Sequence, residues 1–356
     1  MTNQCKVDPG DGATPVFGLS MAQLHPIVEA AAGEPIASFD ISIEHQVEGF
    51  YGFGGDKAIP TFTYVTSAGC AGRATVFAKH SNDPESTEAE QCGFLGAHGA
   101  PIPQIYGMLR SSVGRAILFF EHVDTSEPAR STSSPEGLRE LLSLMARFNA
   151  IRPAPEYAAW LQQASSTRED RATTQARTQE LLWAAAQRGD LGDDLRRFCA
   201  SRRHDLPRLQ TFTHRLFGQV VQMETGLVHN DFSLENTGRR STGERVVLDL
   251  DAVAIGPRFT DVHEHLGRPV DLWTRQEDQR DLAEYYLREY SRWGGCAPSL
   301  DQCLEESQVL WVHETIDDLG FGLRCGQEDS FAGDEWRNGS RRGMLKILTM
   351  LLDRYC

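Results

Sequence analysis

From about Ile41 to Val123 the apolar positions alternate or fall in short β-branched runs, ISIEHQVEGF, TFTYVT, RATVFAKH and RAILFFEHV, each bounded by Gly, Pro or Asp. A period of two over four to eight positions predicts half-buried strands. One helical stretch, ESTEAEQCGFLGAHG, interrupts them and stops before Pro101 and Pro103. Ahead of this region residues 1–20 carry no pattern, and SMAQLHPIVEAAAG predicts a short helix closed by Gly33. From Ser134 the period lengthens to that of a helix. SPEGLRELLSLMARFNAI offers Ser134 as N-cap and Pro135 at the first helical position. RDLAEYYLREYSRWGG sets Ala283, Tyr286, Leu287, Tyr290 and Trp293 on one face and stops at Gly294-Gly295. Helical signals recur at about 155–188, 192–220, 301–319 and 338–354. A β-like island breaks this helical half: LVHNDFSLENTGRRSTGERVVLDLDAV, from Leu227 to Val253, predicts a loop and then a short hairpin turning at Ser241, Thr242 and Gly243.

The rhythm therefore predicts an N-terminal tail and helix (1–37), a β-rich lobe (38–124) and a large helical lobe (125–356), with the chemistry expected where the lobes meet. Composition narrows the class. The chain has 356 residues, 40% hydrophobic and 24% charged, which is ordinary for a globular protein with a large core. No apolar run reaches the ~18 residues of a membrane span, and the first residues lack the basic and apolar stretches of a signal peptide. Eight scattered cysteines with no CxxC predict reduced thiols and a cytoplasmic setting rather than a disulfide framework or zinc site. A net charge of -15 argues against a nucleic-acid partner, because phosphates need a basic surface.

The island carries the candidate chemistry. His229, Asp231 and Asn236 fall in its loop, and Asp249 falls at the end of a strand, thirteen residues beyond Asn236. That order of acid, amide and acid suits phosphoryl transfer from a magnesium nucleotide. One carboxylate orients or deprotonates an attacking hydroxyl, while an amide and a second carboxylate supply hard oxygen ligands to the metal. Loop Asn and Asp also make ordinary Asx turns, so the weight rests on the whole set between flanking strand signals.

The stretch resembles the catalytic and metal-binding segment of the aminoglycoside phosphotransferase and choline kinase family, the small-molecule branch of the protein-kinase-like fold. HND matches the choline and ethanolamine kinase spelling, and VVLDLDAVAIGPRFTDV is similar to the family's strand-Asp run with its Gly-Pro-x-x-x-Asp tail, Asp261 standing last. By that resemblance Asp231 is the catalytic base, and Asn236 and Asp249 are magnesium ligands. Asp251 assists the metal or substrate, and His229 braces the loop. Asn230 stands where protein kinases have Arg, and DFG and APE-like elements are missing, which argues against a protein kinase.

The resemblance assigns the nucleotide to the N-terminal half. Lys79, at the end of a strand, stands where the family has its phosphate-binding lysine. Its glutamate partner falls at Glu88, with Glu90 as the alternative. Gly52, Gly54 and Gly55, with Gly49, make a turn that brings backbone N–H groups near phosphates. ILFFEHVD is the expected hinge, where the backbone near Glu121 and Val123 pairs with adenine whatever the side chains.

Between Asp261 and Asp318 fourteen acids face five arginines. In LEESQVLWVHETIDDLG, Val309, Val312, Ile316 and Leu319 form a core stripe, and His313 and Asp317 share another face. A solvated acidic face is the plain reading. The sharper one makes His313, Glu314, Asp317 and Asp318 the wall of a pocket for a cationic hydroxyl compound.

The expectation is therefore an α+β, two-lobed protein-kinase-like fold. It would use ATP (GTP as alternative) and Mg2+ to phosphorylate a hydroxyl of a small molecule, an antibiotic or other natural product. A metabolic kinase for choline, ethanolamine, homoserine or a sugar is the rival reading, and a nucleotide-binding pseudokinase scaffold is the rival from another class. Neither nucleic acid nor membrane is an expected partner, and the chain is expected to act as a monomer or homodimer.

Overall fold

The computed structural model describes residues 16–47, 56–81, 87–111, 114–126, 134–167, 197, 201–202, 204–270, 273, 275, 277–327 and 349–354. It divides into two compact units, Met1–Ser131 with Ser233–Ala252, and Thr132–Phe232 with Val253–Cys356.

The first unit is built on an antiparallel five-stranded sheet. Its strands are β1 (Ile36–Val47), β2 (Asp56–Thr66), β3 (Ala71–His80), β4 (Ile105–Arg110) and β5 (Ala116–Glu121), in the spatial order β1-β2-β3-β5-β4. Four of these follow from the sequence rhythm. β4 does not, because IYGMLR is short, follows Pro101 and Pro103, and is broken by Gly107. That glycine has a use: a Cβ there would come within 2.6 Å of Ile27 Cδ1. Ile27 belongs to α1 (Met21–Ala32), which starts at a Ser20–Gln23 capping box and ends at Gly33 in the left-handed conformation. α1 buries Leu24, Ile27 and Val28 against Phe39, Phe62, Val76 and Phe119 of the sheet. Each of the three contributes about 1.5–3 kcal/mol of apolar transfer energy. So the described part of the stretch expected as a separate tail and helix, from Val16 on, contributes to this unit's core.

The second contribution to this unit comes from far along the chain. Besides α2 (Glu88–Ala97), which lies between β3 and β4 in the chain, the unit includes the hairpin of β7 (Thr237–Arg239) and β8 (Arg245–Val247), which turns at Gly243. The expected boundary at 125 kept Ser233–Ala252 with the helices; contacts place it with the sheet. The physical reason is pairing: Asp124 and Arg239 exchange both backbone hydrogen bonds at 2.8 Å, and Val247 N–H donates to Pro101 O at 2.7 Å.

The second unit is mainly helical. α3 (Pro135–Asn149) begins at Ser134, whose hydroxyl accepts from the Gly137 N–H at 3.0 Å. It packs on α7 (Gln279–Arg292), which buries Leu282, Ala283, Tyr286, Leu287 and Tyr290. Trp293, expected on that face, is instead the C-cap and is 46% exposed, with the Arg147 guanidinium over its ring. α4 (Pro155–Thr167), α5 (Leu206–Val220), α6 (His263–Leu266) and α8 (Leu300–Gln327) are further helices of this unit. β6 (Thr225–Val228) and β9 (Ala254–Pro257) form a two-stranded ribbon among them. No helix among the described residues is long and apolar enough to cross a membrane.

Candidate active site

In the first unit Lys79 points from the end of β3 into a knot of acids. Its Nζ lies 2.8 Å from Glu88 Oε2, 2.7 Å from Asp249 Oδ1 and 2.9 Å from Asp251 Oδ2. Lys79 and Glu88 are buried, whereas the Asp249 and Asp251 side chains are partly open to solvent. Burial works against the ammonium, but Glu88, Asp251 and Asp249 outweigh it and hold Lys79 above the ordinary lysine pKa. Glu88 is pushed up to about 7, by burial first and against the pull of Lys79. Glu90 is exposed, so the choice between the two glutamates falls on Glu88. Glu88 Oε1 also accepts from the Leu250 N–H at 3.4 Å, which ties α2 to the turn after Asp249.

The carboxylates of Glu88, Asp249 and Asp251 converge within 4.8 Å. Three carboxylates around one ammonium leave the cluster net negative and rich in hard oxygen donors, which fits a divalent magnesium ion. Asp249 has φ +56°, a conformation that L-residues seldom adopt outside functional or turn positions. Asn236 lines the same cavity of about 280 Å³ as Lys79, Glu88 and Asp249. The rest of the cavity wall is largely apolar, with Ile59, Phe77, Ile102, Phe120, Val123, Val247 and Leu250. Glu121 and Val123 line it too. The Glu121 N–H is engaged by Gln104 O at 2.7 Å. Among the described residues nothing accepts from the Val123 N–H, so that donor is open to a ligand. A cavity lined by apolar side chains together with a charged, oxygen-rich cluster suits a nucleotide.

The second unit holds the HND loop. Asp231 is exposed, and its N–H donates to His229 Nδ1 at 3.3 Å. His229 is fully buried between Phe148 and Phe232. Asn230 has φ +66°. Asp261 holds that turn: its Oδ2 accepts from the His229 N–H at 2.8 Å and its Oδ1 from the Asn230 N–H at 2.9 Å. Asn149, at the end of α3, donates to Asp261 Oδ2 at 2.6 Å and to Leu227 O at 3.1 Å. The Tyr286 hydroxyl from α7 then donates to Asn149 Oδ1 at 3.2 Å. Asn149 and Tyr286 lie outside the sequence motifs that point to the site. An Asn at the buried end of an amphipathic helix was the available signal, because a buried amide needs partners.

The remaining expected residues divide. Gly49, Gly52, Gly54 and Gly55 lie outside the described residues, as do the side chains of Asp317 and Asp318. Glu314 is partly exposed on α8. His313 departs from the expected face: it is 1% exposed, with its ring stacked on Phe217 of α5. The packing of α8 on α5, α6 and α7 widens its buried face to include Cys303, Ser307, Leu310 and His313. Several acids of the 261–318 stretch have structural work. Asp261 anchors the loop, Asp278 caps α7, Glu306 pairs with Arg258, and Asp301 pairs with Arg280.

Comparison with known proteins bears on the same segments. Residues 76–300 match the model of the phosphotransferase enzyme family. The chain belongs to that family. Among solved structures, this phosphotransferase is similar to a Plasmodium vivax ethanolamine kinase, with a TM-score of 0.56 and 12% identity, covering 89% of this chain and 83% of that one. It is also similar to an aminoglycoside phosphotransferase from Alicyclobacillus acidocaldarius (TM-score 0.52, 16% identity, 91% and 96% covered). A spectinomycin phosphotransferase in complex with ADP and spectinomycin gives a TM-score of 0.53 at 11% identity, with 93% and 98% covered. At such identities these likenesses show the kinase-like α+β fold. No curated protein matches the phosphotransferase.

Proposed function

We propose that this phosphotransferase moves the γ-phosphoryl group of ATP to a hydroxyl of a small organic molecule, with magnesium bound at Asp249 and Asn236 and with Asp231 as the base. The observation that carries the reading is the Lys79 cluster in the lining of a cavity of about 280 Å³. Lys79 neutralises phosphate oxygens, and Glu88 keeps it aimed. Asn236, Asp249 and Asp251 supply the oxygen donors for the metal. Magnesium, when bound, shields phosphate charge. The open Val123 N–H and the apolar wall around it receive the purine. Asp231, presented on a turn that Asp261 holds, orients the acceptor hydroxyl and takes its proton late. Positioning and charge neutralisation supply most of the rate.

ADP and spectinomycin in one structural neighbour and ethanolamine kinase activity in the name of another support a nucleotide donor and a hydroxyl acceptor. A cation is the favoured acceptor, received by Glu314, Asp317 and Asp318; His313, as a core residue, no longer belongs to that group. ATP as donor and the free Cys70, Cys92, Cys296 and Cys303 fit a cytoplasmic setting. The deciding experiment is ATP consumption by the purified protein over aminoglycosides, nucleoside and peptide antibiotics, choline-like amines and sugars, followed by mass analysis of the product. A product heavier by one phosphoryl group supports the reading; no turnover with any hydroxyl acceptor, alongside no ATP binding, sinks it.

A further inference from the structure

The expected hinge is held by a side chain that belongs to none of the sequence motifs. Arg240, just past β7, spreads its guanidinium over three partners. Nε donates to Glu121 Oε2 at 2.9 Å, one terminal nitrogen to Glu244 Oε2 at 2.6 Å, and the other to Ile102 O at 2.7 Å. Glu121 Oε2 also accepts from the Gln104 N–H at 3.2 Å. These contacts bind together the end of β5, the segment before β4 and the β7–β8 hairpin. Two further contacts reinforce the brace. Asp124 and Arg239 are paired through both backbone bonds. A Cβ on Gly238 would come within 2.5 Å of Val123 Cγ2, so only a glycine lets β7 lie this close to the hinge.

The same hairpin also leads into the lining of that cavity. Asn236 precedes β7, and its carbonyl accepts from the Leu248 N–H at 2.8 Å, immediately before Asp249. One short, cross-braced element therefore bears on the backbone expected to meet the purine and on the residues expected to meet the metal. We infer that Arg240 is a positioning residue for the nucleotide: through Glu121 and Ile102 it fixes the hinge at the distance from Asn236 and Asp249 that the bound nucleotide requires. The inference rests on the nucleotide-binding reading above. A planar, multiply bonded guanidinium is suited to this role, since it ties several groups at once in fixed directions. It also gives the Glu121 side chain a role, where only its backbone was expected to matter.

The test is calorimetric binding of ADP with magnesium to wild type, Arg240→Gln, Arg240→Lys, Glu121→Gln and the Arg240→Gln/Glu121→Gln pair. Arg240→Gln should raise Kd about tenfold, the scale of one charge-assisted contact. Arg240→Lys should fall between, since it keeps a charge but not the three-way reach. The double variant should be within about twofold of the worse single variant, because both remove one contact. The KM for ATP should rise in parallel with Kd in Arg240→Gln and exceed any fall in kcat, the split expected when binding in ground and transition states weakens alike. A Kd for Arg240→Gln within twofold of wild type overturns the inference, even if the melting temperature falls, and so does an additive double variant. Wild type that binds no nucleotide overturns the phosphotransferase reading together with this one; wild type that binds while Arg240→Gln binds equally overturns this one alone. If Arg240→Gln does not fold, Glu121→Gln decides. It keeps an acceptor for the Gln104 N–H, and an unchanged Kd there counts against the brace.

Discussion

Asn230 and Asp249 adopt positive φ at the two chemically important turns, and each is held there by contacts rather than by glycine. For Asn230 the holder is Asp261, a 6% exposed carboxylate that accepts two backbone N–H groups and the Asn149 amide. Removing it takes an acceptor from the buried His229 N–H and Asn149 amide and from the part-buried Asn230 N–H, at about 1–3 kcal/mol for each that goes unsatisfied. Asp261→Ala should therefore destabilise the second unit by several kcal/mol, read as a lower denaturant midpoint; a midpoint equal to wild type would show that the anchor is dispensable. Asp231 makes the opposite kind of prediction. It is exposed, so Asp231→Asn keeps shape and stability while losing charge and basicity. Turnover should fall roughly 10²–10⁴-fold, the range of a general acid–base group. Nucleotide affinity and melting temperature should hold. A variant with more than about a tenth of wild-type turnover would show that the proton goes elsewhere.

At the scale of elements, α3 shows what a cap contributes. The Ser134 hydroxyl satisfies an N–H that the helix cannot, so Ser134→Ala should lose about 1 kcal/mol in chemical denaturation and leave activity alone. On α6, burial, with Arg275 and His263 adding, pushes His265 down to about 3. The Arg275 guanidinium donates to its Nδ1 at 3.0 Å, so the ring is neutral in the folded protein. An unfolded histidine titrates near pH 6.5. Below that pH the unfolded chain binds a proton that folded His265 refuses, so stability is present above about 6.5 and is lost as pH falls toward 3. The slope approaches ~1.4 kcal/mol per pH unit. His265→Gln should flatten the wild-type loss between pH 7 and pH 5; equal losses in the two proteins would rule this histidine out as the cause.

The same elements show what the sequence could and could not disclose. α3, α7 and the β7–β8 turn were legible because one side of each is buried, and the apolar period or the turn residues record it. β4 was not, since Gly107 answers to α1, a partner 80 residues earlier in the chain. His313 misled because α8 packs against more than one neighbour, which widens its buried face beyond a single stripe. Lys79, Glu88, Asp249 and Asp251 were named through the family resemblance, with Glu90 as the alternative to Glu88, and the structure brings the four side chains together. Arg240 was silent, because its partners Glu121 and Ile102 are brought to it only by tertiary pairing.

For the whole molecule, the formal charge of -15 sets the problem of binding a polyanionic nucleotide to an acidic protein. Repulsion at long range is screened over ~8 Å at physiological salt, so the site must supply its own cations. Lys79 is one, and it is already engaged by Glu88, Asp249 and Asp251. A divalent ion at Asp249 would offset those carboxylates and leave Lys79 available for phosphate. Binding should then be strictly coupled to the metal and visible as stabilisation of the fold. A ligand at 100 times its Kd stabilises by about 2.7 kcal/mol, enough for a clear rise in melting temperature. We expect ATP with magnesium to raise the melting temperature of wild type, ATP with a chelator to raise it far less, and magnesium alone to do little. Asp249→Ala should keep its own baseline stability, since that side chain is partly open to solvent, but lose most of the shift. Equal shifts with magnesium and with chelator would mean that the acids around Lys79 bind no metal with the nucleotide. An undiminished shift in Asp249→Ala would move the metal to other ligands.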